Sequence, residues 1–229
     1  MKKVIICCVL SLLVGALTAQ ATPYTYTSTV TADNHYAIYT GNSSSINYIG
    51  GNESGSTGSP GTYNWSSPEN YTFDVNSGDY IYVAGWSDNL VAQGWIGQFV
   101  SSNGTILSNA TDWQALLTYS DIDDGGAAPT VVQFQNDITK TGASWSTITN
   151  TLDNGASPWG TIGTINSNAD WIWGSAMEPG SGDGEYQVFR TQVAPAPVPE
   201  PATMTLLGIG MLGAGLAARK RNRKSKSAD

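Results

Sequence analysis

Between Thr22 and Arg190 the chain is written in short runs of Thr, Val, Ile, Tyr and Trp, each broken within a few residues by Gly, Asn, Asp, Ser or Pro. Branched and aromatic residues suit a pleated, half-buried surface, and the interrupting residues are those that turns require. This punctuation predicts strands at Tyr24 to Ala32, His35 to Tyr39, Asn70 to Val75, Tyr80 to Trp86, Gly94 to Val100, Thr130 to Gln135 and Tyr186 to Gln192. In the third, Tyr71, Phe73 and Val75 alternate with Thr72 and Asp74, the two-residue period of a strand with one buried face. Asn76-Ser77-Gly78-Asp79 then predicts a turn that folds this strand against Tyr80 to Trp86 as a hairpin.

Helical spacing is scarce. Thr111 to Leu117 is the one stretch that predicts a short helix, capped by Thr111 or Asp112. Regularly spaced strands with so little helix predict an all-β domain, two antiparallel sheets packed face to face as a sandwich. Polar loops at Gly41 to Gly61 and Asp121 to Ala128 decorate it, and Ala194 to Pro197 alternates Ala and Pro as a stiff, extended spacer does.

Charge is segregated along the 229 residues. Lys2 and Lys3 open the chain and a basic cluster closes it, whereas Thr22 to Pro199 holds sixteen acids against Lys140 and Arg190, a formal charge of −14. Nucleic-acid binding needs clustered Lys and Arg to displace counterions, so nucleic acid is excluded as a partner of this middle region.

The N-terminal end has the three parts of a secretory signal peptide: Lys2-Lys3, an apolar run from Val4 to Leu17, and Ala19-Gln20-Ala21 as a small-x-small site for signal peptidase, with cleavage expected after Ala21. Cys7 and Cys8, the only cysteines, depart with it. The exported chain is therefore expected to be free of disulfides and thiol nucleophiles although its compartment is oxidising.

The C-terminal end is also ordered in three parts. Val198-Pro199-Glu200-Pro201 precedes an apolar stretch from Ala202 to Ala218, and Arg219, Lys220, Arg221, Arg223, Lys224 and Lys226 form a cationic stop. As a helix, the apolar stretch would reach roughly 25 Å at about 1.5 Å per residue, less than the ~30 Å hydrocarbon core. Snorkelling of Arg219 and Lys220 makes so short a transmembrane helix tolerable, and the basic tail places everything before Pro199 outside the cytoplasm. This end closely resembles the PEP-CTERM sorting signal of Gram-negative bacteria. The resemblance implies that an exosortase, a membrane protease with a cysteine nucleophile, recognises Pro199, Glu200 and Pro201 and processes the chain there. It also implies an inner-membrane intermediate and a final place in the outer envelope or exopolysaccharide matrix. The alternative is a single-pass anchor that is never cut. The domain layout on this reading is a signal peptide at 1–21, a β-sandwich ectodomain at 22–193, a spacer at 194–197 and the sorting signal at 198–229.

Within the ectodomain, Ala32-Asp33-Asn34-His35-Tyr36-Ala37-Ile38-Tyr39, Trp65, Tyr71 to Val75, Gly78 to Trp86, Gly94 to Phe99 and Trp171-Ile172-Trp173 together resemble galactose-binding-type jelly-roll domains of secreted bacterial proteins. The resemblance implies a jelly-roll sandwich. The pattern departs after Tyr39, where Thr40-Gly41-Asn42 leads into a Ser/Gly-rich stretch in place of a compact turn.

Chemistry-bearing residues are few. His35 is the only histidine, so a His-rich metal site is excluded and any Ser-His-Asp triad would have to use it. Its place on a strand after Asp33-Asn34 favours a structural or surface role. No Gly-x-Ser-x-Gly elbow is present. Asp121, Asp123 and Asp124, next to Gly125-Gly126, have the oxygen density of a structural calcium site, but Val132 stands where an EF-hand needs its bidentate Glu. No other cofactor is expected. Eight tryptophans suit either a large core or stacking on sugar rings. Trp86, Trp95 and Trp171 are expected inside, while Trp145 and Trp159, in Ser/Thr/Gly-rich surroundings, are the expected exposed platform for a ligand. The functional expectation is a non-catalytic envelope or matrix protein that binds carbohydrate; the alternative is a small glycan hydrolase using paired carboxylates.

Overall fold

A computed structural model describes residues 23–52, 65–87, 92–120, 122, 126–174, 186–194 and 210–211. The chain divides into two compact units, Ala21–Ala194 and a second that joins Met1–Gln20 to Pro195–Asp229. Of the second, only Gly210 and Met211 are described. The expected signal peptide, the Pro199-Glu200-Pro201 motif, the apolar stretch apart from these two residues, and the basic cluster therefore lie outside the described residues. Among the described residues no helix is long and apolar enough to cross a membrane.

The first unit is built from strands β1 (Tyr24–Asp33), β2 (His35–Asn42), β3 (Ser45–Gly51), β4 (Glu69–Val75), β5 (Tyr80–Trp86), β6 (Gly94–Ser101), β7 (Gly104–Leu107) and β8 (Gln114–Ser120). Helix α1 (Val131–Thr139) follows, then β9 (Ser146–Thr147), β10 (Asn150–Asp153), β11 (Asp170–Trp173) and β12 (Tyr186–Gln192). All pairings are antiparallel and form two sheets. One runs β10-β11-β6-β1-β4, with β7 also on β6, and the other β3-β2-β5-β12-β8-β9.

A single buried cluster joins the sheets: Tyr26, Val30, Phe73, Trp95, Phe99 and Trp173 from the first, with Tyr36, Ile38, Ile81, Val83, Ala115 and Phe189 from the second. Trp173 lies so close over Gly85 of β5 that a Cβ there would stand 2.8 Å from its ring. The other face of the second sheet is buried as well. Ala37, Tyr39, Tyr82, Ala84, Leu116 and Val188 form a second cluster with Phe134 and Ile138 of α1. This double coverage explains the composition of β2, whose first seven residues are all buried, and of β5, where only Tyr80 is half-exposed. By contrast β4, at the edge of the first sheet, keeps an alternating pattern that buries Phe73 and Val75.

Four sequence expectations are corrected by this arrangement. Thr130 to Gln135 is not a strand. Thr130 is instead the N-cap of α1, its hydroxyl accepting from the Gln133 amide at 3.3 Å while Gln133 Oε1 accepts from the Thr130 amide at 3.0 Å. This Thr-x-x-Gln capping box outweighs the β-branched pair Val131-Val132, because Phe134 and Ile138, four apart, then share one face against the sheet. Thr111 to Leu117 is not a helix. Asn109 Oδ1 accepts from the amides of Thr111 and Asp112 at 2.8 and 2.7 Å, closing a turn where a cap was expected. The chain then runs as β8, with Ala115 in the intersheet core and Leu116 in the cluster around α1.

Strands β4 and β5 are not a hairpin. The Asn76–Asp79 turn, with Gly78 at φ +88°, carries the chain from one sheet to the other: β4 pairs with β1, and β5 lies between β2 and β12. The turn is tied to the end of β12 instead, Gly78 N to Val193 O at 3.1 Å and Val193 N to Asp79 O at 2.9 Å. The Gly41 to Gly61 loop is also revised, since Ser45–Gly51 is β3 on the edge of the second sheet. Asn42 Oδ1 accepts from the amides of Ser44 and Ser45 at 2.9 and 3.2 Å and so makes the turn between β2 and β3.

Candidate ligand-binding site

Helix α1 is held flat on the second sheet by aromatic contact. Phe134 stacks on Tyr39 with ring centroids 4.0 Å apart and meets Tyr82 edge-on at 5.4 Å, and the Tyr39 hydroxyl donates to the Pro129 carbonyl before the helix starts. The helix ends at Lys140, which turns extended, and Thr141 and Gly142 (φ +88°) reverse the chain toward β9. The reversal leaves a cleft of about 470 Å³ lined by Leu116, Leu117 and Thr118 of β8, Asp137 of α1, Lys140 at its C-cap, and the Thr141–Ser144 loop with Ser146. Its size falls in the range of small-molecule sites, roughly 300–1,000 Å³.

Among the described residues Asp137 is the one carboxylate on this lining. Partial burial holds its carboxyl above the usual aspartate range, and the Tyr186 hydroxyl and the Lys140 charge oppose that shift. Tyr186, on β12, is fully buried against it. Burial and the adjacent Asp137 carboxylate push the Tyr186 phenol well above its ordinary value. Thr118 is anchored on the same strand pair, its hydroxyl donating to the Tyr186 carbonyl at 2.5 Å. The cleft thus combines a buried-edge carboxylate, an exposed ammonium, four hydroxyl side chains and an apolar wall of Leu116 and Leu117.

The residues singled out from sequence fall elsewhere. Trp159 is buried, at 3% exposure, where an exposed platform was expected. It stacks on Trp171 at 4.2 Å and donates its indole N–H to Asp33 Oδ2 at 2.7 Å, so the polar sequence around it conceals a core residue. Trp145 is half-buried, and one face is occupied: the Arg190 guanidinium lies 3.9 Å from its ring centre and 4.9 Å from that of Tyr80. Gln114 Oε1 fixes that guanidinium by accepting from its Nε and Nη2 at 3.0 and 2.9 Å. Trp86, Trp95 and Trp171 are fully buried, as expected. His35 is buried too, stacked on Trp86 at 5.3 Å, at the point where the chain leaves β1 for β2.

Asp121, Asp123 and Asp124, with the calcium expectation, lie outside the described residues. Among the described residues no group of three His, Cys, Asp or Glu is placed to hold a metal ion. Asp153 and Asp170 face each other across β10 and β11, and that repulsion, after partial burial, raises the Asp170 carboxyl. Neither lines the cleft. A second cleft of about 210 Å³, between the β6–β7 end and the end of β12, has Asp112 as its one acid among the described residues. Asp137 and Lys140 were missed because a strand reading of Thr130 to Gln135 gives no reason to bring them together. The capping box is the signal that would have found them.

A family model matches residues 197–222 and describes them as a PEP-CTERM protein-sorting motif. Residues 197–222 are thus a PEP-CTERM sorting motif, and such a motif implies processing by an exosortase and export toward the cell envelope. Neither a curated protein nor a solved structure matches the chain.

Proposed function

We propose that the chain is a non-catalytic protein of the outer envelope or exopolysaccharide matrix, whose β unit binds carbohydrate. The observation that carries the binding reading is the cleft at the end of α1, where hydroxyls, a carboxylate and an ammonium converge beside an apolar wall. Sugar recognition calls for such a mixture, because each pyranose ring offers hydroxyls that donate and accept and C–H faces that need apolar contact. The proposed route begins with signal peptidase acting after Ala21, passes through an inner-membrane intermediate held by residues 202–218, and ends with exosortase acting at Pro199-Glu200-Pro201.

The competing reading, a glycan hydrolase, needs two carboxyl groups some 5–9.5 Å apart flanking the scissile bond. Among the described residues the cleft offers Asp137 alone, which favours binding over hydrolysis. The two antiparallel sheets closing on one core support a jelly-roll-like reading of the unit, and calcium in the 121–124 segment is retained as part of the proposal. The test is a glycan array probed with the folded full chain in mild detergent, followed by a reducing-sugar assay on every glycan retained. Binding without release of reducing ends supports the proposal; release replaces it with the hydrolase, and silence on the array rejects carbohydrate binding.

A further inference from the structure

We propose that the cleft at the end of α1 takes an uncharged sugar unit by two neighbouring hydroxyls, one donating to the Asp137 carboxylate and the other accepting from the Lys140 ammonium. This rests on the carbohydrate reading above and specifies its ligand. A carboxylate can only accept and an ammonium can only donate. The two stand three positions apart at the end of one helix, both on the cleft lining, and close enough that the lysine's charge acts on the carboxyl. Adjacent ring hydroxyls, each able to donate or accept, satisfy both at once.

Charged sugars fit worse from either side. A uronate would set a carboxylate against Asp137 within a region whose formal charge is −14, and like charges brought together in a partly buried site are strongly disfavoured. An amino sugar would set an ammonium against Lys140. Lys140 and Arg190 are the two basic residues of that region, and Arg190 is already engaged by Gln114, Tyr80 and Trp145. That leaves Lys140 as the cation available to a ligand at this cleft. Leu116 and Leu117 supply the apolar contact for a ring face, and Thr141 and Ser144, exposed on the rim, supply further hydroxyls.

The experiment titrates the full chain, purified in mild detergent, with neutral glucose, galactose and mannose oligosaccharides and with uronic-acid oligosaccharides, and repeats the titrations with Asp137→Asn and Lys140→Met. Circular dichroism verifies the fold, and Lys140→Met, at an exposed position, decides the matter if Asp137→Asn does not fold. The expected result is binding of a neutral oligosaccharide that each substitution weakens about tenfold or more, as loss of a hydrogen bond to a charged group does, with no uptake of uronates. Neutral binding untouched by both substitutions would overturn the site, and uronate binding abolished by Lys140→Met would overturn the ligand class; both leave carbohydrate binding standing. Silence with every oligosaccharide removes the carbohydrate reading and this proposal with it.

Discussion

Trp173 of β11 lies against Gly85 of β5, so close that a Cβ on Gly85 would stand 2.8 Å from Cζ3 and 3.1 Å from Cη2 of the indole. The two residues belong to different sheets, and the ring is fully buried between them. Gly85→Ala is expected to destabilise the unit by about 1–3 kcal/mol, the usual result of overpacking a core. Urea unfolding measures it; an unchanged midpoint would mean that the sheets can separate at this point without loss.

Phe134 fixes α1 to the second sheet through its stack on Tyr39 and its edge contact with Tyr82. Phe134→Ala is expected to cost about 3–5 kcal/mol. Because the helix carries Asp137 and Lys140, any ligand affinity at the cleft should fall with it. Denaturation with parallel binding measurements checks both effects.

Burial holds the Asp137 carboxyl above its usual range, so between the ordinary aspartate value and the raised one the folded chain keeps a proton that the unfolded chain has released, and above the raised value the group is a carboxylate in both. The stabilisation from this group is complete below the ordinary aspartate value, near pH 4, and is lost as pH rises through the raised folded value. Asp137→Asn should remove this slope and unfold at a higher urea concentration than the parent at neutral pH. Equal midpoints at neutral pH, or a slope that persists in the variant, would rule out this role.

Tyrosines set an alkaline limit. Tyr82 is pushed up to about 12, chiefly by burial, and Tyr36 and Tyr186 are raised by burial and by their neighbours Glu69 and Asp137. The unfolded phenols ionise near pH 10, whereas these stay protonated in the native unit. Stability present below pH ~10 is therefore lost as pH climbs toward the folded values. Tyrosinate absorbance recorded during an alkaline titration should rise together with unfolding; full ionisation in a folded chain would contradict it.

At the sorting end, Glu200→Ala should leave the β unit folded and the precursor uncut, as intact mass would reveal. Two prolines flanking Glu200 stiffen an extended segment, and the carboxylate is its one charged group. Normal processing of this variant would count against recognition through the motif.

The parts of the fold legible in the chain are those where the environment is one-sided. The alternation of Tyr71, Phe73 and Val75 reads as a strand because β4 lies at a sheet edge with one buried face. In Thr130 to Gln135 the local β preference of Val131 and Val132 competes with a cap and a helical spacing whose value depends on Tyr39 and Tyr82, far away in sequence. The candidate cleft was illegible for the same reason, since it exists because α1 ends over β8.

Residue order alone determined the sorting motif at the C-terminal end, the strand-rich character of the middle and its acidity, because sorting motifs, β preference and charge are local properties. Tertiary structure decided which strands pair, that the Asn76–Asp79 turn crosses between sheets, and that Trp159 is hidden while Asp137 and Lys140 share a cleft. Those outcomes turn on which buried faces meet, a property of pairs of segments distant in the chain.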